Sequence, residues 1–474
     1  MPVAEFLPFV HGIFYVALQS ALVTGLFLEG RRERRVLSSA GRRAGRRAAG
    51  ELSGGTGESR EAGESCRAGP PQETGESPVL PVLPAGDGCS FPPRVSVVVP
   101  VHNEEGRLPA LLEDLAAQDY QGAEIILVDD RSEDGTAALL SRFALGRPHV
   151  FILTLKENPG PNHKQYALGR ALERAAGELF LFTDADCRLS PGWIGAMVER
   201  MEDPRTGAVI APVFRQWRAG EGTKEEAGES SGGGKKTNRP GGSFLRNYQI
   251  YDHVVRFVYL AGAVGLGAAG GGFGNNLILR RAALEKAGGY AAVPPSPTED
   301  AALISLIRSS TAYQVRAALG RETHVFTGSE DSWKALVNQT LRWNNGGLFS
   351  PELLTRINYT VLMLTITASV LAFFLLPFFP NLWPMPLAQL IVMLENTGGA
   401  LFIAGGGMGG GKAVKGAEDA AGAGKNRKAR SSLPPVFWIR ELLFMPFYMT
   451  LMTVLGFLGV KTTWKESTVK PYGS

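Results

Sequence analysis

Two aspartates end a run of apolar residues in the stretch LFLFTDADCRL, Leu179 to Leu189. Asp184 and Asp186 are one residue apart, at the point where a strand that reads as buried would finish. A buried carboxylate is costly unless a cation or strong hydrogen-bond donors meet it. The pattern therefore predicts a cationic partner at this position.

Two earlier strands finish in polar residues in the same way. VSVVVPV, Val95 to Val101, is followed by HNEE, and EIILVDD ends in the pair Asp129 and Asp130. Continuous β-branched runs of this kind are typical of buried parallel strands, whose carboxyl ends meet at one edge of a sheet, where ligands bind. Any one cluster alone reads as a cap or turn, but three together favour a binding site. Neighbouring carboxylates suit Mg²⁺ or Mn²⁺ shared with substrate phosphates, so we expect a metal-bound diphosphate.

Helical segments separate these strands. HNEEGRLPALLEDLAAQ and KQYALGRALERAA carry apolar residues at helical spacing, and FILTLK and ELFLFTDAD read as the third and fourth strands. The order from Arg94 onward is therefore βαβαβαβ. It predicts an α/β domain with a mostly parallel, Rossmann-like sheet and helices on both faces.

The remaining sequence alternates between apolar and low-complexity stretches. The net charge of +4 over 474 residues gives no argument for nucleic-acid binding, and three scattered cysteines do not form a disulfide framework or a zinc site. Gly, Glu, Ser, Arg and Pro dominate residues 36–92, which we expect to be a disordered linker. An insert at 219–243 and a Gly/Lys-rich loop at 405–432 have a similar composition.

Four apolar stretches are long enough to cross a membrane. The first, Phe6 to Leu28, is followed by RRERR, which predicts an uncleaved anchor within residues 1–35 whose basic end is cytoplasmic. A signal peptide is the alternative, although its basic residues would precede the apolar run. Three further candidates, residues 357–379, 382–404 and 436–460, fall in a C-terminal membrane region at 351–474. The side of the C-terminus stays open.

Five motifs then occur in order: PVHNEE, VDDRSEDGT, TDAD, PTEDAAL and QTLRW. Together they resemble the membrane-bound family 2 glycosyltransferases, which have the nucleotide-sugar GT-A fold and the DxD, TED and QxxRW motifs. The resemblance covers roughly Arg94 to Trp343, apart from the insert. It implies a GT-A domain at residues 93–350, with transmembrane helices at both ends of the chain.

The resemblance also implies roles for individual residues. Asp186 would hold Mg²⁺ or Mn²⁺, Asp300 would be the general base, and Gly272 and Asn275 in GGFGNN would lie at the acceptor site. Asp300 could instead cap the helix that follows it. The implied nucleotide-sugar site consists of Pro100, His102, Asn103, Glu104, Asp129, Asp130, Lys164, Asp184, Gln339, Arg342 and Trp343.

The stretch Tyr248 to Gly271 is nearly apolar enough to be another span. Asp252, His253 and Arg256 near its start argue against that, and we expect an interfacial or acceptor-facing helix, which would suit a lipid-linked acceptor.

The resemblance therefore implies a metal-dependent, inverting hexosyltransferase that uses a UDP- or GDP-sugar. We expect it to act on a lipid, lipid-linked or glycan acceptor at the cytoplasmic face of the cell membrane, as a multi-pass protein. The alternative is a processive polysaccharide synthase of the cellulose or hyaluronan synthase type. A scaffold protein without activity would not need Asp184, Asp186 and Asp300 together.

Overall fold

A computed structural model describes residues 3–53, 93–216, 244–406, 439–460, 462–464 and 467–469. The expected insert at 219–243 lies outside these residues. So do residues 54–92 of the expected linker and most of the loop at 405–432.

The elements follow the alternation that the sequence predicts. The strands are β1 (Val95–Val101), β2 (Ala123–Asp130), β3 (Val150–Leu155), β4 (Leu179–Phe182), β5 (Thr206–Ile210), β6 (Val213–Gln216), β7 (Leu277–Arg280), β8 (Gln314–Ala317), β9 (Val325–Gly328), β10 (Thr462–Trp464) and β11 (Ser467–Val469). The helices are α1 (Val3–Ser53), α2 (Leu108–Ala116), α3 (Thr136–Ala144), α4 (His163–Leu172), α5 (Trp193–Glu199), α6 (Phe244–Gly265), α7 (Arg281–Lys286), α8 (Glu299–Ser310), α9 (Trp333–Leu348), α10 (Leu353–Leu375), α11 (Pro384–Ala404) and α12 (Ile439–Phe457).

Seven strands form the central sheet in the order β3-β2-β1-β4-β7-β5-β8. All neighbouring pairs are parallel except those made by β7, which runs antiparallel to β4 and β5. Val101 at the end of β1 pairs with Asp129, and Val98 pairs with Phe182 at the end of β4. The polar clusters after β1, β2 and β4 therefore lie at one sheet edge, which confirms the predicted mostly parallel α/β fold.

Both faces of this sheet are covered, because side chains that alternate along a strand enter two different cores. Val97 and Val99 of β1 pack with the leucines of α2 and with α5, whereas Val98 packs with α4, α6 and α8. The strands are consequently buried on both sides, as their uninterrupted apolar sequences indicate.

Helix α1 is longer than the predicted anchor. It continues to Ser53, so the expected linker does not begin at residue 36. The segment after the apolar run is rich in Arg and Ala, which are good helix formers. The composition of residues 36–92 predicts a disordered linker, but in residues 36–53 the helix propensity of the side chains determines the local structure.

Helix α1 is attached to the sheet domain by two buried carboxylates. Glu29 accepts a hydrogen bond from the backbone N–H of Ala317 (3.1 Å). Glu33 accepts from the N–H of Leu319 (3.0 Å) and from Nε of buried Arg200 (3.0 Å). The carboxylates of α1 thus bind the end of edge strand β8 and the turn that follows it.

Helix α6 crosses α1 at close range. A Cβ added at Gly25 would collide with the carbonyl oxygen of Gly262, and one added at Gly265 would collide with that of Gly25. Only residues without a side chain permit this approach of the two backbones.

Four helices of the described residues are long and apolar enough to cross a membrane: Phe6–Ser39 within α1, α10, residues Pro380–Ala404, which include α11, and α12. Helix α6 does not meet those criteria. It is largely buried, contacts α1 and α11, and reaches the central cavity with His253.

Candidate active site

A cavity of about 420 Å³ opens at the carboxyl edge of β1, β2 and β4, where the sequence predicts a site. Loops after the strands form one side of it, and α6, α8 and α9 contribute the rest. The predicted residues that line it are Pro100, His102, Glu104, Asp130, Lys164, Asp184, Asp186, Asn275, Asp300, Gln339, Arg342 and Trp343.

Three predicted site residues do not line this cavity. The side chain of Asn103 accepts a hydrogen bond from the N–H of Glu133 (2.8 Å), which ties the β1 loop to the β2 loop. Buried Asp129 accepts from the N–H of Ser132 (3.1 Å) and shapes the β2 turn. Gly272 packs against Ile210, and a Cβ there would collide with that side chain. The structure shows these loop and packing contacts for the three residues, and the ligand-binding roles that the resemblance implies for them stay predictions.

The carboxylate of Asp130 is fixed by donors on both oxygens. Nε of Arg131 donates to Oδ1 (2.9 Å), and Nδ2 of Asn158 donates to Oδ2 (2.9 Å). Nδ1 of His102 lies 2.6 Å from the Asp130 carbonyl oxygen. Asn103 and Arg131 both have a left-handed backbone, with φ of 52° and 59°, and such residues cluster at functional sites. Asp130 can therefore present a pre-oriented acceptor to a ligand N–H group.

Lys164 connects the aspartate pair to the acidic start of α8. Its Nζ lies 2.7 Å from Oδ1 of Asp184 and 3.4 Å from Oε1 of Glu299. Burial alone would lower the pKa of Lys164, but the charges of Asp184 and Glu299 raise it above its usual value. Lys164 is thus a half-buried cation, and it offsets part of the carboxylate charge in the cavity.

Asp186 suits a metal that is shared with a ligand. One of its oxygens accepts from the hydroxyl of Thr327 (2.9 Å). Among the described residues, no group of three or more His, Cys, Asp or Glu side chains could hold a metal ion. Mg²⁺ is commonly bound by one or two carboxylates together with substrate phosphates and water, so Asp186 with Asp184 beside it fits such a cation.

Asp300 lies in the first turn of α8, and Thr298 rather than Asp300 is the residue before that helix begins. Its Oδ2 accepts from the N–H of Gly274 (2.7 Å) in the GGFGNN loop. Burial, and then the charge of Glu299, raise the pKa of Asp300 to about 6, while Lys164 acts in the opposite direction. A carboxylate whose pKa lies near neutrality is suited to act as a general base.

The QxxRW residues place three side chains of α9 in the cavity. Gln339 accepts from Nη2 of Arg215 (2.5 Å) and donates to Oε1 of Glu330 (2.7 Å). Arg342 is half-buried, and desolvation lowers its pKa, while the negative charges of Glu299 and Asp300 act in the opposite direction. This guanidinium can offset negative charge that develops on a ligand.

The sequence predicts an interfacial or acceptor-facing helix at Tyr248 to Gly271 but does not single out His253 or Phe273 as site residues. His253 of α6 and Phe273 both line the cavity, and their rings stack at 4.8 Å with an interplanar angle of 5°. The ring centroid of Trp343 lies 5.3 Å from the ring centroid of His253 and 5.4 Å from the guanidinium carbon of Arg256. The polar residues within this apolar stretch were the available signal, and they indicated an interfacial or acceptor-facing helix without identifying which side chains would line the cavity.

Two family models match the chain in overlapping parts. The model described as glycosyl transferase family 2 matches residues 96–257, and the one described as glycosyl transferase family group 2 matches residues 235–406. The first contains β1 to β4 and the acidic clusters, and the second contains α8, α9 and the C-terminal helices as far as α11.

Curated relatives match over shorter lengths. An N-acetylglucosaminyltransferase of Neorhizobium galegae is 36% identical over 124 residues, which are 26% of this chain and 28% of that protein. An undecaprenyl-phosphate 4-deoxy-4-formamido-L-arabinose transferase of Proteus mirabilis is 38% identical over 114 residues, 23% of this chain and 34% of that protein. The chain thus spans about a third of the length of the curated relatives that it matches.

One solved structure aligns along most of the chain. It is a mannosyltransferase from Pyrobaculum calidifontis in complex with GDP-Man and Mn²⁺, and the alignment covers 94% of this chain and 99% of that one. The sequences are 17% identical, and the TM-score is 0.43.

Proposed function

The chain belongs to glycosyltransferase family 2, and from this membership we propose that it transfers a sugar, with inversion, from a nucleotide-sugar donor to a lipid or lipid-linked acceptor. The observation that carries the proposal is that Asp184, Asp186, Lys164 and Asp300 line one cavity. Carboxylates for a cation-bound diphosphate and a separate carboxylate for proton removal are the two requirements of such a transfer.

The proposed reaction needs no covalent enzyme intermediate. An acceptor hydroxyl oxygen attacks the anomeric carbon as the bond from that carbon to the diphosphate oxygen breaks. Asp300 takes the hydroxyl proton, and the bonding electrons leave with the nucleoside diphosphate. The N–H of Gly274 donates to Oδ2 of Asp300 and the N–H of Ala301 donates to Oδ1 (2.7 Å each), so both oxygens are oriented, and the proton is taken by a lone pair that these donors leave available.

Cations of the chain stabilise the departing diphosphate. Lys164 and Arg342 both line the cavity with Asp184. A divalent cation held by Asp186, when bound, would offset the phosphate charge as a Lewis acid. Fixed positive charge in a largely buried site is worth more than in water, because the surroundings screen it less.

The donor is proposed to be a UDP- or GDP-sugar. The fixed carboxylate of Asp130, at the end of β2, can accept from an N–H of the nucleobase. Uracil and guanine both carry such a group, so Asp130 supports a base with a ring N–H without choosing between them.

A membrane-derived acceptor is supported by the surroundings of the cavity. Helix α6, which contributes His253 to the cavity wall, packs on α1 and α11, two of the four candidate membrane spans. Some relatives are named for transfer to undecaprenyl phosphate. An acceptor with a lipid portion in the bilayer could therefore reach this side of the cavity.

The sheet domain is proposed to lie in the cytoplasm. The RRERR sequence follows the apolar run of α1, and Glu33 within it binds Arg200 and the turn after β8. The sheet domain consequently adjoins the basic end of the span, which faces the cytoplasm by the positive-inside rule. Labelling of a single cysteine introduced at exposed Asp119 should require permeabilised cells; labelling in intact cells would contradict this orientation.

A donor screen tests the proposed activity. The purified chain is given Mn²⁺ or Mg²⁺ and a panel of nucleotide sugars, and release of nucleoside diphosphate is measured with and without membrane lipid extract. We expect release from a UDP- or GDP-sugar, increased by lipid, with a single sugar added per acceptor. No release from any donor contradicts the function, and long polymeric products would indicate a processive synthase instead.

A further inference from the structure

His253 lies where an acceptor would approach the general base. Its ring stacks on Phe273, and the next residue, Gly274, donates its N–H to Asp300. His253, Phe273, Gly274, Asp300 and Trp343 all line the same cavity. The imidazole and the base carboxylate are therefore linked through Phe273 and Gly274, and both line the same cavity.

The imidazole nitrogens of His253 make no hydrogen bond to any residue in the described part of the chain. By contrast, the buried His324 has its Nε2 at 3.4 Å from the carbonyl oxygen of Leu319 and does not line the cavity. Buried polar groups are normally hydrogen-bonded. Because His253 faces the cavity, a bound molecule is the natural partner for its nitrogens.

His253 is held in the neutral form. Burial, and then the positive charges of Arg215 and Arg256, lower its pKa well below the usual value. A neutral imidazole has one N–H donor and one nitrogen acceptor, which matches a hydroxyl group, since a hydroxyl also donates and accepts.

The arginines beside His253 are already engaged with the protein. Arg215 donates to the carbonyl oxygen of Gly328 and to Gln339, while its buried Nε has no hydrogen-bond partner among the described residues. Arg256 forms an ion pair with Asp252 at 2.7 Å. Glu330 and Asp331 also line the cavity and would repel an anion. This wall consequently favours neutral hydroxyl groups over a phosphate.

We propose that His253 binds a hydroxyl group of the acceptor beside the one that Asp300 deprotonates, so that the acceptor presents a sugar ring at this site rather than a bare phosphate. The inference rests on the proposed transferase function and names the chemical class of its acceptor. His253 would determine acceptor specificity and would not contact the leaving diphosphate.

The test compares His253→Phe, which keeps a flat ring against Phe273, with His253→Asn, which keeps a polar group. His149→Phe, at an exposed position, is the matched control. The probes are hexyl β-D-glucoside, which carries a sugar ring, and undecaprenyl phosphate. The donor is the nucleotide sugar from which the native chain releases most nucleoside diphosphate in water.

We expect His253→Phe to raise KM for hexyl β-D-glucoside about three- to tenfold, as loss of one neutral hydrogen bond does. Donor KM and donor hydrolysis should stay within about twofold, which also shows that the variant is folded. His253→Asn should recover part of the acceptor affinity. In ¹⁵N spectra, the His253 nitrogens of the native chain should shift when hexyl β-D-glucoside is added with the nucleoside diphosphate.

An unchanged acceptor KM in both variants would overturn the inference. So would a native chain that uses undecaprenyl phosphate but not hexyl β-D-glucoside, although the transferase function would then stand. A native chain that neither hydrolyses nor transfers any donor sugar would instead contradict the proposed function itself.

Discussion

The two sides of the cavity are formed by different structural elements. The proposed donor side consists of loops after parallel strands, and its carboxylates are held by nearby cations and amides, as Asp130 is by Arg131 and Asn158. The proposed acceptor side consists of helices α6 and α9, whose rings and guanidinium groups pack on one another around Trp343.

This difference separates two tasks. Charges fixed at a rigid sheet edge suit the diphosphate, which is similar in every donor. The aromatic wall formed by His253, Phe273 and Trp343 includes a residue of α6, and α6 packs closely on α1 at their glycines. This wall is therefore in contact with a candidate membrane span. We expect donor binding to depend on the sheet edge and acceptor binding on the helical wall.

The largest effect is expected where the two sides meet. Asp300→Asn should lower kcat by about 10²- to 10⁴-fold, because the amide cannot take the acceptor proton. Nucleoside diphosphate affinity, measured by calorimetry, should change little. Asp119→Asn, at an exposed position away from the cavity, is the control. Turnover close to that of the native chain would rule out Asp300 as the base.

A change on the donor side should affect donor binding alone. Asp130→Ala removes a carboxylate that is positioned to accept from the base, and donor KM should rise about 10- to 100-fold, as loss of a charged hydrogen bond does. Acceptor KM should remain as in the native chain. Equal increases in both constants would show that the two sides are not independent.

The sequence predicts the common position of the strand-end carboxylates because its signals there are local. Asp130, Asp184 and Asp186 each follow a strand whose apolar residues identify it as buried, and parallel pairing brings the strand ends together without further information. The acceptor side depends on contacts between distant segments. Nothing near His253 in the sequence shows that Phe273 and Trp343 will pack on it.

The packing of helix α1 also depends on contacts between distant segments, which the sequence does not reveal. Glu29 and Glu33 follow an apolar run among arginines, a pattern that usually indicates a solvated surface. Only the fold shows that both carboxylates are buried against backbone N–H groups of β8 and the turn after it. Close packing of Gly272 on Ile210 is likewise visible only in the fold, and the acceptor contact that its glycine-rich loop suggests stays a prediction.

The attachment of α1 should affect stability more than donor chemistry. Glu33→Gln weakens the pair with Arg200, whose side chain is only 4% exposed, and should reduce the free energy of unfolding by about 2 kcal/mol. Thermal unfolding in detergent measures the loss. Glu322→Gln is the matched control, because this partner of Arg200 is 46% exposed and should contribute less than about 1 kcal/mol. Equal losses of unfolding free energy in the two variants would contradict a larger stabilising contribution from Glu33 of α1.

The smallest effect is a shift in the pH profile. Asp300 must be ionised to accept a proton, so kcat should rise as the pH increases through about 6. The negative charge of Glu299 raises the pKa of Asp300, and its removal should lower that pKa. Glu299→Gln should therefore move the acidic limb to lower pH, whereas a shift to higher pH would contradict the assigned coupling.

The most direct test of the account is metal-dependent binding of the nucleoside diphosphate. UDP and GDP are titrated by calorimetry into the purified chain with Mn²⁺ and with EDTA, and into Asp186→Asn under both conditions. We predict that at least one nucleotide binds about tenfold or more tightly with Mn²⁺, and that Asp186→Asn removes this difference. Equal affinity with and without the metal for both nucleotides, or a full metal effect in Asp186→Asn, would contradict the account.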